Sequence, residues 1–292
     1  AQHGAALRQR VEGISWIQTL KAAGKSHLQR FEHNHHLGEL ESSPELDLSI
    51  YQAIPEAQQI LTQALGSDAA ALKLTFETDI QRTYRVIQFE DAEIEVCLDV
   101  GVVRASGREQ TIHEVEFELK SGSVQSLLAF SFEWVKKYQL WLDVRSKAEM
   151  GNLLALEQTV SPARFEKEFV LSKKESAAHN LSLLIGQQMQ HLLPNIAAIS
   201  AGVAEQSHID QAQTALEHLQ LTLALFKDWN SNISDKWAMQ LAAFKHQFDH
   251  LQHLQHMQST LGAFLQNPTT TENLAKDILY AQEKLGNLVK ST

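Results

Sequence analysis

The feature that most constrains the fold is an alternating stretch, TIHEVEFELKSG, at residues 111–122. Glu114, Glu116, Glu118 and Lys120 occupy every second position, and the residues between them are apolar. Successive side chains of a β-strand point to opposite faces, so the stretch predicts a strand with one charged and one apolar face. The charged face belongs either to an exposed sheet or to the inside of a barrel with a wet tunnel.

The rest of the first half repeats this alternation. Short runs at 5–11 and 14–21 flank Glu12-Gly13, a hairpin signal. Basic and acidic residues share strand faces here, as the binding of phosphate and of a divalent metal would require. The alternation alone does not show whether these faces line a tunnel or belong to an exposed sheet. Further strands are predicted at 27–36, 72–78, 82–89, 92–100 and 101–105, and helices at 55–66 and 123–138.

From residue 152 onward the pattern changes to long amphipathic stretches rich in Leu, Ala, Gln and His. Apolar residues such as Leu216, Leu219 and Leu223 form one stripe, as a helical bundle needs. The sequence therefore predicts an α+β protein, with a β domain at 1–151 and a helical domain at 152–292. Its helices are predicted at 162–170, 173–193, 208–230, 233–265 and 271–290.

Composition narrows the function classes. The formal net charge of -10 disfavours nucleic-acid binding, which requires clustered Lys and Arg. No apolar run approaches the roughly 20 residues of a membrane span, and we expect no signal peptide. The single cysteine, Cys97, excludes an internal disulfide framework and favours a reducing compartment. We therefore expect a cytoplasmic protein with neither a nucleic-acid nor a membrane partner.

Seven segments occur in a characteristic order between Ala5 and Gly151: ALRQR, WIQTLK, QRFEHN, FETDIQRTYR, IEVCLDVGVVRASGR, IHEVEFELKSG and SKAE-G. Together they resemble the CYTH domain of the triphosphate tunnel metalloenzymes, and most closely the bacterial inorganic triphosphatases. This resemblance implies an antiparallel β-barrel whose tunnel binds inorganic triphosphate or a similar polyphosphate. It also implies hydrolysis of that substrate with a divalent metal, Mg²⁺ or Mn²⁺.

The resemblance further implies a role for each matching charged residue, although each is also explained as an ordinary charge on a strand face. Catalysis, including orientation of the attacking water, would involve Glu116, Glu118 and Lys120. The metal ligands would be Glu32, Glu95, Asp99, Glu114 and Glu116. The basic residues that bind phosphate would be Arg8, Arg10, Lys21, Arg30, Arg82 and Lys147.

The sequence also departs from the family. A first strand with Glu-x-Glu-x-Lys and a strand with Asp-Thr-Pro are missing, so we expect a fragment of a longer protein, since an incomplete barrel would expose unpaired edges. Without that first strand we expect weak activity or none. Two alternatives stay open. One is a non-catalytic module that binds phosphate compounds or a partner protein, and the other is cyclase chemistry on a nucleoside triphosphate.

Residues 176–229 resemble about half of a CHAD domain, the helical domain that follows in the same family. The CHAD signature helix presents a histidine and several arginines to polyphosphate. Here the aligned positions lack arginine, so the charge-assisted contacts are lost. We expect a degenerate CHAD-like domain that packs on the barrel or on a protein partner. The aligned residues are Asp210, Gln213, Glu217, His218 and Gln220.

Two further patterns have simple explanations. His246, His250, His253 and His256 follow helical spacing and could bind Zn²⁺ or Ni²⁺. Successive three-residue steps rotate around a helix, so we expect a polar helix face instead. Cys97 alternates with the carboxylates of its strand, and no neighbour marks it as an activated nucleophile.

Overall fold

The computed structural model describes residues 5–26, 29–66, 72–169, 171–227, 235–261, 264 and 267–291, without the side chains of 23–26, 29–30, 236 and 291. Its strands form two three-stranded sheets, ordered β1-β2-β3 and β4-β5-β6. The strands are β1 (Ala5–Glu12), β2 (Ser15–Ser26), β3 (Gln29–Glu39), β4 (Glu77–Phe89), β5 (Ala92–Ala105) and β6 (Arg108–Ser121). The helices are α1 (Pro55–Leu65), α2 (Val124–Tyr138), α3 (Lys147–Ala155), α4 (Ala177–Ser200), α5 (Gln206–Phe226), α6 (Asp235–Leu261) and α7 (Pro268–Ser291).

The chain divides into two compact units, each assembled from separate segments of sequence. The first consists of Ala1–Asp79, Val102–Thr111 and Ser146–Glu157, and the second of Ile80–Gly101, Ile112–Arg145 and Gln158–Thr292. The predicted two-domain division at residue 151 stays a prediction. None of the described helices has both the length and the apolar character needed to cross a membrane.

The first sheet separates polar from apolar side chains, as its alternation predicts. β1, β2 and β3 are antiparallel, and Arg8 pairs with Thr19, which pairs with Asn34. Directly opposed residues of an antiparallel sheet project to the same face. On the other face Leu20 is buried with Tyr51 and with Ala57 of α1. The charged residues of this sheet therefore lie on the face away from α1.

The second sheet is built the same way around α2. Ser106 and Gly107, between β5 and β6, have φ angles of 51° and 72°, as the type I′ turn of a two-residue hairpin requires. Ala92, Ile94 and Phe130 are buried, with Phe117 packed against them. Truncating such a buried aromatic to alanine typically costs about 3–5 kcal/mol. Because α2 covers this face, the carboxylates of β6 lie on the opposite one.

Four helices in the second half form the predicted bundle. α4 packs against α5 and α7, and α6 also packs against α5 and α7. Their shared core contains Leu216, Phe248, Leu251 and Leu285, each at most 1% exposed. The apolar stripe on α5 is therefore a packing surface, as its helical period predicts.

Three local predictions are wrong. Residues 162–169 are not helical, because the buried Asn195 satisfies both backbone groups of Arg164, accepting from its N–H and donating to its C=O at 2.9 Å each. The strand predicted at 72–78 begins only at Glu77, and the runs predicted at 92–100 and 101–105 are one strand. The SKAE-G segment is helical, as α3, although the sequence pattern predicts no helix there.

The fold class is confirmed in its coarse form, with antiparallel sheets followed by a helical region. Within the described ranges, strand pairing produces two sheets and no closed barrel. The barrel implied by the family resemblance therefore stays a prediction.

Candidate functional site

Arg82 is the centre of the charged face of the second sheet. Its Nε and Nη2 donate to the two oxygens of Asp99, at 2.7 and 2.6 Å. Nη2 also donates to Oε2 of Glu116 at 2.6 Å. The hydrogen bond to Asp99 is the largest cause of the raised pKa of Arg82. The side chain of Asp99 is 1% exposed, so this bidentate pair is buried on the carboxylate side.

Glu114 completes a group of three carboxylates with Asp99 and Glu116. One oxygen from each lies within 4.8 Å of the others, and among the described residues this is the one such group of potential metal ligands. Hard divalent cations such as Mg²⁺ and Mn²⁺ prefer all-oxygen sites. Arg82 supplies one positive charge against three negative ones, which leaves excess negative charge for a cation. The donor set therefore fits the metal that the family resemblance implies.

Lys120 forms ion pairs with two further carboxylates of this face. Its Nζ lies 3.2 Å from Glu95 and 3.2 Å from Glu118. Burial acts to lower the pKa of Lys120, but the hydrogen bonds and negative charges of these glutamates outweigh it, so its pKa is raised. Lys120 therefore stays positively charged at neutral pH beside the three-carboxylate group.

Cys97 lies between these groups on β5. It is 2% exposed, and its thiol donates to Oε1 of Glu95 at 3.4 Å. Burial raises the pKa of this thiol to about 11, with the hydrogen bond to Glu95 acting in the same direction, although the charge of Arg82 opposes it. A protonated, buried thiol is a poor nucleophile. This agrees with the expectation that Cys97 is not an activated nucleophile.

The first sheet carries a second, separate polar group. Lys21 pairs with Glu32 at 2.8 Å, and Asn34 donates to Glu32 at 3.2 Å. The buried hydroxyl of Thr19, which we did not predict as a site residue, donates to Asn34 at 2.6 Å and so orients it. Burial acts to raise the pKa of Glu32, but the hydrogen bonds from Lys21 and Asn34 and the nearby positive charges outweigh it, and its pKa is lowered. Glu32 therefore stays ionised to lower pH than an ordinary glutamate.

The other predicted phosphate-binding residues are less closely grouped. Arg8 lies on the polar face of β1, and its positive charge acts on Glu32. Arg10 is 2.9 Å from Glu12, and Lys147 is the first residue of α3. Arg30 pairs with Ala23 in the backbone register, and its side chain lies outside the described residues.

Gly151, in the SKAE-G segment, shows a packing constraint that the sequence signals only as a glycine. A β-carbon there would lie 2.2 Å from the ring of Phe76, closer than any real contact. The segment that begins with Lys147 is therefore fixed against Phe76 by the absence of a side chain at Gly151.

In the helical region, three of the residues that the sequence analysis aligned with a CHAD helix contact other side chains of the chain. Gln213 donates to Asp249 and Gln252 of α6, at 2.8 and 3.0 Å. Glu217 pairs with Lys245 at 3.2 Å. His218 lies 3.0 Å from Glu166. Among the described residues, the histidines of α6 are not part of any potential metal-ligand group.

No known protein-family model matches the chain. A comparison with curated proteins finds 31% identity to the inorganic triphosphatase of Haemophilus influenzae over 176 residues. The match covers 59% of this chain and 47% of the relative, so the chain spans about half the length of that relative. This similarity agrees with the CYTH-like resemblance, and the CHAD-like resemblance remains a prediction.

The raised pKa of Cys97 predicts slow, strongly pH-dependent alkylation. At pH ~8 a thiol with a pKa of about 11 is ~10⁻³ ionised, compared with roughly a quarter for an unperturbed cysteine. We expect iodoacetamide to label the native protein at least ~100-fold more slowly than the urea-unfolded protein. The native rate should rise about tenfold per pH unit up to pH ~10. Cys97→Ser is the control that should not be labelled. A native alkylation rate that stops rising near pH ~8.5 would contradict the raised pKa of Cys97.

Proposed function

We propose that the protein hydrolyses inorganic triphosphate, or a compound that bears a triphosphate group, with the help of Mg²⁺ or Mn²⁺. The observation that carries the proposal is the juxtaposition of Arg82 with Asp99, Glu114 and Glu116 on one sheet face. It places an anion-binding guanidinium directly beside a potential cation site, as hydrolysis of a metal-bound polyphosphate needs. The similarity to the inorganic triphosphatase of Haemophilus influenzae supports the same conclusion.

The proposed architecture is an antiparallel tunnel formed by residues 1–151 and followed by a helical domain at 152–292. In each sheet, the charged face would be the substrate-binding face. This placement is supported by the coverage of the opposite faces, since α1 packs on the first sheet and α2 on the second. A charged face that is left uncovered by its own helix is suited to enclose a hydrated anion.

Substrate binding falls to the basic residues in this proposal. Arg and Lys on adjacent strands neutralise successive phosphate groups through charge-assisted hydrogen bonds. Lys21, held by Glu32, and Arg82, held by Asp99, have fixed side chains, which lowers the entropic cost of binding. The proposed contacts are made by Arg8, Arg10, Lys21, Arg30, Arg82 and Lys147.

Glu114 and Glu116 would hold the metal in this proposal, and the family resemblance alone implies Glu32, Glu95 and Asp99 as further ligands. A bound Mg²⁺ or Mn²⁺ would supply neutralisation of phosphate charge and a lowered pKa of the attacking water. Glu116 and Glu118 orient the attacking water and accept its proton. Its oxygen bonds to the terminal phosphorus as the phosphoanhydride P–O bond breaks, which yields orthophosphate and pyrophosphate. Lys120 stays protonated and stabilises negative charge on the leaving oxygen.

The proposal gives the helical domain a structural or protein-binding role in a cytoplasmic enzyme. Two of the positions that would supply arginines to polyphosphate, Gln213 and Glu217, are already occupied in contacts with α6. We expect residues 152–292, expressed alone and shown to be helical by circular dichroism, to bind no long-chain polyphosphate at pH ~7.5 and ~0.15 M salt. Micromolar binding under these conditions would contradict this role. Binding confined to pH ~5.5 would instead identify protonated histidines as its source.

The proposed hydrolysis predicts that replacing a single carboxylate of the site lowers the reaction rate greatly. Glu116→Gln should lower orthophosphate release from tripolyphosphate by at least ~100-fold, because a bound metal supplies several kcal/mol of transition-state stabilisation. Excess EDTA should abolish the release. Glu133→Gln is the matched control, since Glu133 is an exposed residue of α2, and it should leave the rate unchanged.

Two outcomes would contradict the proposal. Full activity of Glu116→Gln, or full activity in EDTA, would remove the metal-carboxylate mechanism. Absence of any hydrolysis of tripolyphosphate, nucleoside triphosphates and thiamine triphosphate, combined with retained binding, would favour the non-catalytic module instead.

A further inference from the structure

Asp99 is the most buried carboxylate on the charged face of the second sheet, and both of its oxygens accept from Arg82. The family resemblance would make it a metal ligand. Its geometry differs from that of Glu116, whose side chain is 48% exposed and accepts from Arg82 through one oxygen. A carboxylate that accepts two parallel hydrogen bonds from one guanidinium fixes both the position and the plane of that guanidinium.

The remaining edge of Arg82 faces outward from this pair. Nε and Nη2 are bound to Asp99 and Glu116, and no hydrogen bond to Nη1 is found within the described part of the chain. The Arg82 side chain is 41% exposed. The guanidinium is thus anchored through Nε and Nη2, and the N–H donors of Nη1 remain for a ligand. Planar N–H donors in a fixed orientation match the oxygens of a phosphate group.

We propose that Asp99 is a positioning residue for the triphosphate: it holds Arg82 so that Nη1 donates to a phosphate oxygen, and Glu114 and Glu116 bind the metal without it. This inference rests on the proposed function, because it assumes that a triphosphate binds at Arg82. It assigns different tasks to the three carboxylates that lie within 4.8 Å of one another.

The direction in which one substitution changes tripolyphosphate affinity distinguishes a positioning role of Asp99 from a purely electrostatic one. Asp99→Asn removes a negative charge beside an anion-binding site, so Coulomb attraction alone predicts tighter tripolyphosphate binding. If Asp99 positions Arg82, the same substitution weakens binding, because the guanidinium loses its bidentate anchor. We expect the Kd for tripolyphosphate, measured by isothermal titration calorimetry in EDTA, to rise about tenfold or more.

Two further variants complete the test. Arg82→Lys keeps the positive charge but loses the paired N–H donors of the guanidinium. It should weaken tripolyphosphate binding about as much as Asp99→Asn does. Combining it with Asp99→Asn should add little, since the two residues act as one unit. Glu93→Gln is the matched control: Glu93 lies on the same face of β5, roughly 20 Å from Asp99, and contacts Gln88. It should change the Kd by less than about twofold.

Metal binding provides the second readout. In a Mn²⁺ titration followed by electron paramagnetic resonance, Asp99→Asn should keep the wild-type affinity within about threefold, and Glu116→Gln should lose at least about tenfold. Equal losses in the two variants would make Asp99 a metal ligand and overturn the inference. Unchanged or tighter tripolyphosphate binding by Asp99→Asn, or no binding by the wild type, would also overturn it. A wild type that binds tripolyphosphate without hydrolysing it would contradict the proposed function alone.

Discussion

The packing of α2 on the second sheet is the constraint on which the candidate site depends. Phe130 contacts Phe89 and Phe117 at ring-centroid distances of 5.3 Å each, and this apolar cluster fixes which face of the sheet is covered. Because strand side chains alternate, burying Phe117 places Glu116 on the uncovered face. A one-residue slip in register would bury the glutamates and expose the aromatic ring, so register and site are specified together.

The charges on that face stabilise one another in two separate groups. Arg82 joins Asp99 and Glu116, and Lys120 joins Glu95 and Glu118. The exposed pairs among them, Arg82 with Glu116 and Lys120 with Glu118, contribute little to folding stability, typically below about 1 kcal/mol each. Their value here is orientation, since each cation is held against carboxylates before any ligand binds. A preformed arrangement of this kind loses less entropy when it takes up a polyphosphate and its metal.

The sequence alone is sufficient for features that depend on alternation or helical period. The two-faced strand at Glu114–Lys120, the amphipathic α2 and the apolar stripe of α5 follow directly from residue spacing. It is insufficient where a distant side chain decides local structure, as with Asn195, which keeps residues around Arg164 out of a helix. Pairings across strands, such as Arg82 with Asp99, also depend on register, which spacing within one strand does not reveal.

The central claim is that Glu114 and Glu116 hold a divalent cation beside Arg82, and an anomalous difference map from crystals soaked in Mn²⁺ tests it most directly. The account predicts a peak within roughly 2–2.5 Å of carboxylate oxygens of both glutamates. The peak should be absent from crystals of Glu114→Gln. No peak at these glutamates, or a peak only among the histidines of α6, would contradict the account.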